Sequence, residues 1–492
     1  MNGNLQIQQE IRVQQMLCKK LLIIYKLITR NMNRLKHTCI KTSIIMFLFI
    51  SILNAQEKPN IIIILTDDMG YGDISSFNAE YMKTPNIDRI AEEGMKVTQY
   101  YTAAPICSPS RVSILTGMYP ANWNFTTFLN DRKSNLEAEQ ANYLNTNAPS
   151  MASVFKNGGY VTGHFGKWHM GGGRDVQDAP GFEKYGFDEH NSTYESPDPD
   201  PLITATDWIW SPEDSIKRWD RTKYFVDKTL DFLKEHKGQP CFVNLWPDDM
   251  HTPWVPEVQE RYTGKFPMNP QEEKAFELVL IEYDRQMGRL LDGLKKLGIE
   301  DNTIVVFTSD NGPLPSFRGS RSAGFRGTKL SLYEGGIRMP FIIKWPGHIP
   351  KGKTDNISVI NSTDLLPSLA AMSGIGLPAN FKGDGEDRHE VFMGKKSIRK
   401  NDLYWEYGRN PYAFNYPKGD DKSPNLAIRS GKWKLLVDYY ENNVELYDME
   451  KDKFETTNVV KQHKDLVKSL KTKLTTWRMY LPTLTPNRMN PR

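Results

Sequence analysis

Two patterns of hydrophobic and polar positions alternate along this chain. Short continuous apolar runs recur between longer stretches whose apolar residues return every three or four positions. Asn60 to Thr66 is a β-branched run with no polar face, suited to a strand buried on both sides. Cys241 to Trp246, Thr303 to Thr308, Pro340 to Trp345 and Tyr160 to Lys167 also read as strands. Asn86 to Glu93, with Asn86 as N-cap and Gly94 as stop, Ser150 to Lys156, Arg221 to Glu235 and Gln271 to Leu297 read as helices. Such alternation predicts an α/β fold, a large, mostly parallel sheet sandwiched by helices. From about Gly383 the pattern shortens to alternating stretches at Leu403 to Tyr407, Leu426 to Arg429, Trp433 to Tyr439 and Val444 to Tyr447, closed by a helix at about Lys461 to Trp477. That predicts a smaller C-terminal antiparallel-sheet subdomain, residues 383–492, behind a main domain over 56–382.

Residues 1–55 read as a leader. Ile44 to Leu53 is an apolar run of signal-peptide length, behind the basic stretch Arg34 to Lys41 and before Ala55. It is short for a membrane span, so no stable membrane insertion is expected once it is cleaved. Charge changes the picture here. The formal net charge is +4, yet residues 1–55 hold eight basic residues and one acid, which leaves 55 basic and 58 acidic residues in a slightly acidic body. Nucleic-acid binding through bulk charge is therefore not expected. Of four cysteines only Cys107 and Cys241 lie beyond the leader, which excludes a disulfide scaffold. Cys241 reads as a small core hydrophobe.

The ends of the predicted strands carry the chemistry. Asp67-Asp68 follows the first, Lys167 and His169 the second, His251 lies shortly after the third, and Asp310-Asn311 follows the fourth. In open α/β sheets, ligands bind beyond the carboxyl ends of the strands. Asp67, Asp68, Asp310 and Asn311 offer only hard oxygens, which suit Ca²⁺ or Mg²⁺ better than zinc. Each pair by itself is also ordinary turn sequence. Cys107-Ser-Pro-Ser-Arg111 reads as a loop entering a helix, where N–H groups and the dipole favour anions and lower a thiol's pKa. Cys107 reads there either as a nucleophile, with Arg111 one turn on holding an anion, or as a buried core thiol.

Cys107-x-Pro109-x-Arg111, with Leu115-Thr116-Gly117, resembles the signature of the formylglycine-dependent (type I) sulfatases of the alkaline phosphatase superfamily. Gly163 to His169, Asp67 to Gly72, Ser309 to Gly312 and Lys329 to Pro340 are similar to further motifs of that family, so the resemblance runs from about Lys58 to Trp433. It implies an alkaline-phosphatase-like fold and a sulfuric ester hydrolase of arylsulfatase type. By the same resemblance Cys107 is oxidised by a formylglycine-generating maturation enzyme. Asp67, Asp68, Asp310, Asn311 and the modified Cys107 hold Ca²⁺, and Arg111 stabilises the nucleophile. Lys167 and Lys329 bind the sulfate, His169 is the base that releases it, and His251 protonates the leaving alcohol.

Two segments bear on the substrate. Lys184 to Trp219 is rich in Pro and Asp and carries Trp208, Trp210 and Trp219, residues that either stack on sugar rings or pack the loop locally. Arg318, Arg321 and Arg326 lie among glycines and serines, where they either bind further sulfates or a uronate, or remain solvated. Trp405 and Arg429 are candidate contacts from the C-terminal part. Together these features favour a sulfated polysaccharide, or its oligosaccharides, as the substrate of an exported, periplasmic or secreted enzyme. The alternatives are an unmatured carbohydrate-binding protein and a phosphonate or phosphate ester hydrolase on the same scaffold.

Overall fold

The strand-like runs form one large sheet. Its strands are β1 (Asn60–Thr66), β2 (Met95–Tyr101), β3 (Val161–Gly166), β4 (Glu189–Ser192), β5 (Cys241–Trp246), β6 (Thr303–Ser309), β7 (Arg338–Lys344), β8 (Lys353–Asp355) and β9 (Ile360–Asn361). The computed structural model describes residues 16–17, 19–22, 58–77, 82–206, 208–257, 273–410 and 417–483. The apolar run Ile44 to Leu53 lies outside them. Among the described residues no helix is long and apolar enough to cross a membrane.

The strands are ordered β4-β3-β5-β1-β6-β7-β2-β8, with β9 also paired to β2. β1 pairs in parallel with both β5 and β6, Ile62 lying between Val243 and Val305. Only β7 runs against its neighbours β6 and β2, so the sheet is mixed but mostly parallel. β2 and β4 were not expected. β2 alternates Met, Lys, Val, Thr and Gln with half-buried positions, and Glu-His-Asn-Ser in β4 is polar throughout, so neither has the apolar run that marks the central strands.

Alternate residues of β1 serve two cores. Ile61, Ile63 and Leu65 pack against residues of α2 (Cys107–Thr116), α3 (Met151–Asn157) and α6 (Leu365–Met372). Ile62 and Ile64 pack against α1 (Pro85–Glu93), α4 (Arg221–Glu235) and α5 (Glu273–Leu297). In α5 the buried Phe276, Val279, Leu280, Tyr283, Met287, Leu290, Leu291 and Leu294 repeat at helical spacing. α1 begins one residue earlier than expected, with Thr84 at the N-cap and Pro85 in the first turn, where its missing N–H costs nothing. Asn86 instead bonds Asp284 of α5 with its side chain at 2.7 Å and its backbone N–H at 3.1 Å.

The C-terminal stretches form a separate antiparallel sheet, β10 (Leu403–Glu406), β11 (Leu426–Ser430), β12 (Trp433–Val437) and β13 (Val444–Asp448), with α7 (Lys464–Met479) on one face. Its other face joins Tyr101, Ile106, Leu332, Tyr333 and Ile337 of the larger part in a shared core. Ile64 is fully buried at the centre of the large sheet. Ile64→Ala is expected to cost about 2–5 kcal/mol, read as a lower denaturation midpoint with an unchanged slope.

Candidate active site

Five strands of the large sheet end at one edge, and the loops beyond them carry the charged motifs. Asp67 and Asp68 leave β1, Lys167 and His169 leave β3, His251 follows β5, and Asp310-Asn311 leaves β6. Cys107 opens α2 after β2, and Lys329 lies in the loop from β6 to β7. The turn after β3 depends on Gly166, at φ 131°, where a Cβ would stand 2.0 Å from the Trp246 carbonyl oxygen. That same carbonyl accepts from the Lys167 N–H at 2.8 Å, which sends the lysine into the site. Asp68, His169 and Leu330 all hold positive φ, 62°, 55° and 72°. Left-handed non-glycine residues gathered at one place mark a backbone held by its surroundings for a purpose.

The structure brings Asp67, Asp68, Cys107, Arg111, Lys167, His169, His251, Asp310, Asn311 and Lys329 together. Lys167 Nζ donates to Asp67 Oδ2 at 2.8 Å and Lys329 Nζ to Asp68 Oδ2 at 2.7 Å. Arg111 donates to Asp310 Oδ2 from Nε at 3.0 Å and from Nη2 at 2.7 Å, while its Nη1 donates to the Lys167 carbonyl at 2.7 Å. The Asn311 amide nitrogen donates to Asp68 Oδ1 at 2.8 Å. Arg111, Asp67, Asp68, Asp310 and Asn311 are at most 1% exposed. Three carboxylates thus meet three cations in a nearly dry cluster, and their formal charges cancel.

Burial pushes the Asp67 carboxyl up, but Lys167, His251, Arg111 and Lys329 outweigh it and hold it well below the usual carboxylate range. For Asp310, burial and the Asp67 charge win over Arg111, and its carboxyl is pushed well above that range. A set in which one acid resists ionisation calls for further positive charge. Two buried oxygens, Asp67 Oδ1 and Asn311 Oδ1, have no hydrogen-bond partner. Asp67, Asp68 and His251 present ligand atoms within 4.8 Å of one another, so these residues fit a divalent cation. His251 stands beside the carboxylate oxygens, which the sequence read as the ligands. Its Nδ1 donates to the Thr252 carbonyl at 2.6 Å, which turns Nε2 toward Asp68 Oδ2 at 3.7 Å.

Cys107 Sγ lies 3.1 Å from His169 Nδ1. His169 Nε2 is 3.1 Å from Glu195 Oε2, a carboxylate that Arg174 also grips at 3.0 Å. Nε2–H is directed to the Leu129 carbonyl at 3.4 Å, with the Glu195 charge beside it, and Nδ1 turns its lone pair to position 107. Burial lowers His169 to about 4 and raises the Cys107 thiol. Burial therefore prevails over the helix N-terminus, and the pair is a neutral thiol and a neutral imidazole rather than a thiolate and an imidazolium. Nothing in the sequence marked Glu195, which sits in an irregular segment 26 residues beyond His169.

The remaining expectations divide. Arg321 does not reach a surface: it is 1% exposed, bonds Asp73 at 2.9 Å and the Asp68 carbonyl at 2.8 Å, and lies 4.2 Å from the Phe276 ring centre. It props the β1 loop instead of meeting a substrate. Arg318 shares the 3-10 helix Phe317–Ser322, and its side chain lies outside the described residues. Arg326 is fixed by Tyr447 at 2.7 Å. Trp405 is fully buried and bonds the Thr102 carbonyl at 2.8 Å, which makes it core. Trp208 stands 49% exposed. The C-terminal sheet supports the loop of Lys329 from behind, where buried Lys434 bridges Glu334 at 2.9 Å and Glu455 at 2.8 Å.

Comparison with known proteins gives a consistent picture. The family described as Sulfatase matches residues 59–375, and the N-sulphoglucosamine sulphohydrolase C-terminal family matches 326–479. An N-acetylgalactosamine-6-O-sulfatase of Bacteroides thetaiotaomicron is 28% identical, over 84% of this chain and 92% of its own. Arylsulfatase A of Bos taurus is 31% identical, over 78% and 75%. Among solved structures, a 6S-sulfatase from work on Bacteroides thetaiotaomicron metabolism of multiple glycosaminoglycans superimposes with TM-score 0.70 at 25% identity, covering 86% of this chain and 100% of its own. Ps i-CgsB in complex with k-i-k-neocarrahexaose gives 0.70 at 25%, covering 87% and 94%.

Two substitutions probe this geometry. Arg111→Met leaves Asp310 buried without its partner and is expected to cost about 3–5 kcal/mol, measured by chemical denaturation. Glu195→Gln removes the negative charge beside the imidazole and is expected to lower kcat on an aryl sulfate by about 10- to 100-fold, with the melting temperature little changed.

Proposed function

The chain belongs to the sulfatase family and is a sulfuric ester hydrolase, and from this premise we propose that it removes sulfate from a sulfated polysaccharide or its oligosaccharides. The observation that carries the reading is the buried cluster of three carboxylates and three cations, with Cys107 and His169 3.1 Å apart beside it. We further propose that Asp67, Asp68, Asp310 and Asn311 hold Ca²⁺ and that a maturation enzyme converts Cys107 to formylglycine. The calcium supplies Lewis-acid polarisation of a sulfate oxygen, and the hydrated formylglycine aldehyde supplies a hydroxyl nucleophile.

The chain's own residues do the rest. Lys167 and Lys329 each commit one N–H to an aspartate and keep further donors for the sulfate oxygens, where charge grows as the ester S–O bond breaks. Arg111, locked on Asp310 and the Lys167 carbonyl, fixes the relative positions of α2 and the β3 loop. His169, neutral, with Nε2 on the Leu129 carbonyl and beside the Glu195 charge, takes the proton from a hydroxyl at position 107 through Nδ1. His251 delivers a proton from Nε2 to the leaving alcohol. Burial and Lys329 hold it down at about 4, and the negative charge of a bound sulfate ester raises it toward use.

Sulfated N-acetylgalactosamine, the substrate in the name of the Bacteroides thetaiotaomicron relative, and a carrageenan oligosaccharide, the ligand of Ps i-CgsB, set the first substrates to try. The leader pattern supports export to the periplasm or beyond. The tryptic peptide Val97 to Arg111 from protein made in its native host tests the maturation. An aldehyde in place of the thiol is expected. An intact thiol in folded, native protein would instead favour a binding protein that is never matured. Chelating calcium is expected to abolish sulfate release reversibly and, from about 100 Kd of free ion, to lower stability by about 2.7 kcal/mol, measured by thermal melts with and without added Ca²⁺.

A further inference from the structure

A cavity of about 470 Å³ opens between the large sheet, at β2 and the segment that follows β8, and the C-terminal sheet, and no residue of the carboxylate–cation cluster lines it. Its size falls within the range of about 300–1,000 Å³ usual for ligand sites. Six cations line it, Arg338, Arg399, Lys400, Arg429, Lys432 and Lys453, against one acid, Glu450. Three of the six are answered nearby, Arg338 by Glu334 at 3.3 Å, Arg399 by Asp364 at 2.5 Å and Lys432 by Asp448 at 2.9 Å. Lys400 and Lys453 are exposed and have no ion pair among the described residues. Arg429 is the second, independent sign. It is 5% exposed and donates to Gln99 at 2.7 Å and to the Gly431 carbonyl at 3.3 Å, with its Nη1 buried and without a partner.

The walls also indicate the kind of anion. Gln99, Asn356, Asn401 and Thr98 add amides and a hydroxyl, the groups that match sugar hydroxyls. Among the described residues no aromatic side chain lines the cavity, so they offer no stacking platform of the kind nucleic-acid bases need. We propose that this groove is a second binding site, which holds a sulfate- or carboxylate-bearing stretch of the polymeric substrate away from the ester being cleaved. The proposal rests on the sulfated-carbohydrate reading above. Arg429 supplies the buried, fixed end of the site, and Lys400 and Lys453 supply its mobile rim.

The test uses the full, matured chain and the double variant Lys400→Glu/Lys453→Glu, both exposed positions outside the catalytic cluster. Substrates are 4-nitrophenyl sulfate and whichever sulfated polysaccharide the wild type desulfates fastest. The variant is expected to raise KM on the polymer about tenfold or more, to flatten its salt dependence, and to leave kcat on the polymer and both constants on 4-nitrophenyl sulfate within about twofold. An unchanged polymer KM, or equal losses on both substrates, would overturn the groove and leave the sulfatase reading intact. Full suppression of the polymer effect by millimolar inorganic sulfate, with 4-nitrophenyl sulfate turnover unaffected, would reduce the site to one for free anions and overturn it too. A wild type that desulfates no polymer would remove the substrate reading and the groove together.

Discussion

Charge balance in a dry place is the constraint on which this molecule depends. Asp67, Asp68 and Asp310 are fully or almost fully buried, and isolated carboxylates at such positions would simply neutralise. Asp67 and Asp68 stay ionised because Arg111, Lys167 and Lys329 are brought to the cluster from α2, the β3 loop and the β6–β7 loop, while Asp310, held by Arg111, is the acid that resists ionisation. A divalent cation added to this set would supply the excess positive charge that a sulfate ester needs. Much of the fold serves that arrangement. The β1 loop is propped by Arg321, the β3 turn needs Gly166, and the Lys329 loop rests on Lys434 of the second sheet and Glu455 beyond it.

The second sheet is therefore more than an appendage. Lys434, Tyr447 and Glu455 come from it or from the segment beyond it, and they fix Arg326, Glu334 and the loop between them. The C-terminal family match begins at residue 326, in that same loop. Loop and sheet form one buried ionic network, in which truncating a single member strands its partners and costs more than the pair contributes.

The fold was legible in the sequence wherever burial on both faces forced an uninterrupted apolar run. β1, β5 and β6 lie where Asn60 to Thr66, Cys241 to Trp246 and Thr303 to Thr308 place them, within one residue. β2 and β4 were invisible because polar residues interrupt them, and the cap of α1 was misplaced because Asn86 pairs with Asp284, 198 residues away. At the site, the residues that contiguous motifs offered do converge, whereas Glu195 was not offered, since only the folded chain brings it to His169. Arg321 misled for a related reason. An arginine in a glycine-rich loop looks free to bind a substrate anion, or solvated, until the loop folds over Asp73 and Phe276.

The most direct measurement compares sulfate and phosphate monoesters of the same alcohol under identical conditions, using enzyme that carries the proposed formylglycine at residue 107. The account predicts a kcat/KM for the sulfate ester at least about 100-fold higher, which corresponds to about 2.7 kcal/mol in transition-state stabilisation. Equal or faster turnover of the phosphate ester would contradict it, because the cluster would then be matched to a doubly charged phosphoryl group and not to sulfate.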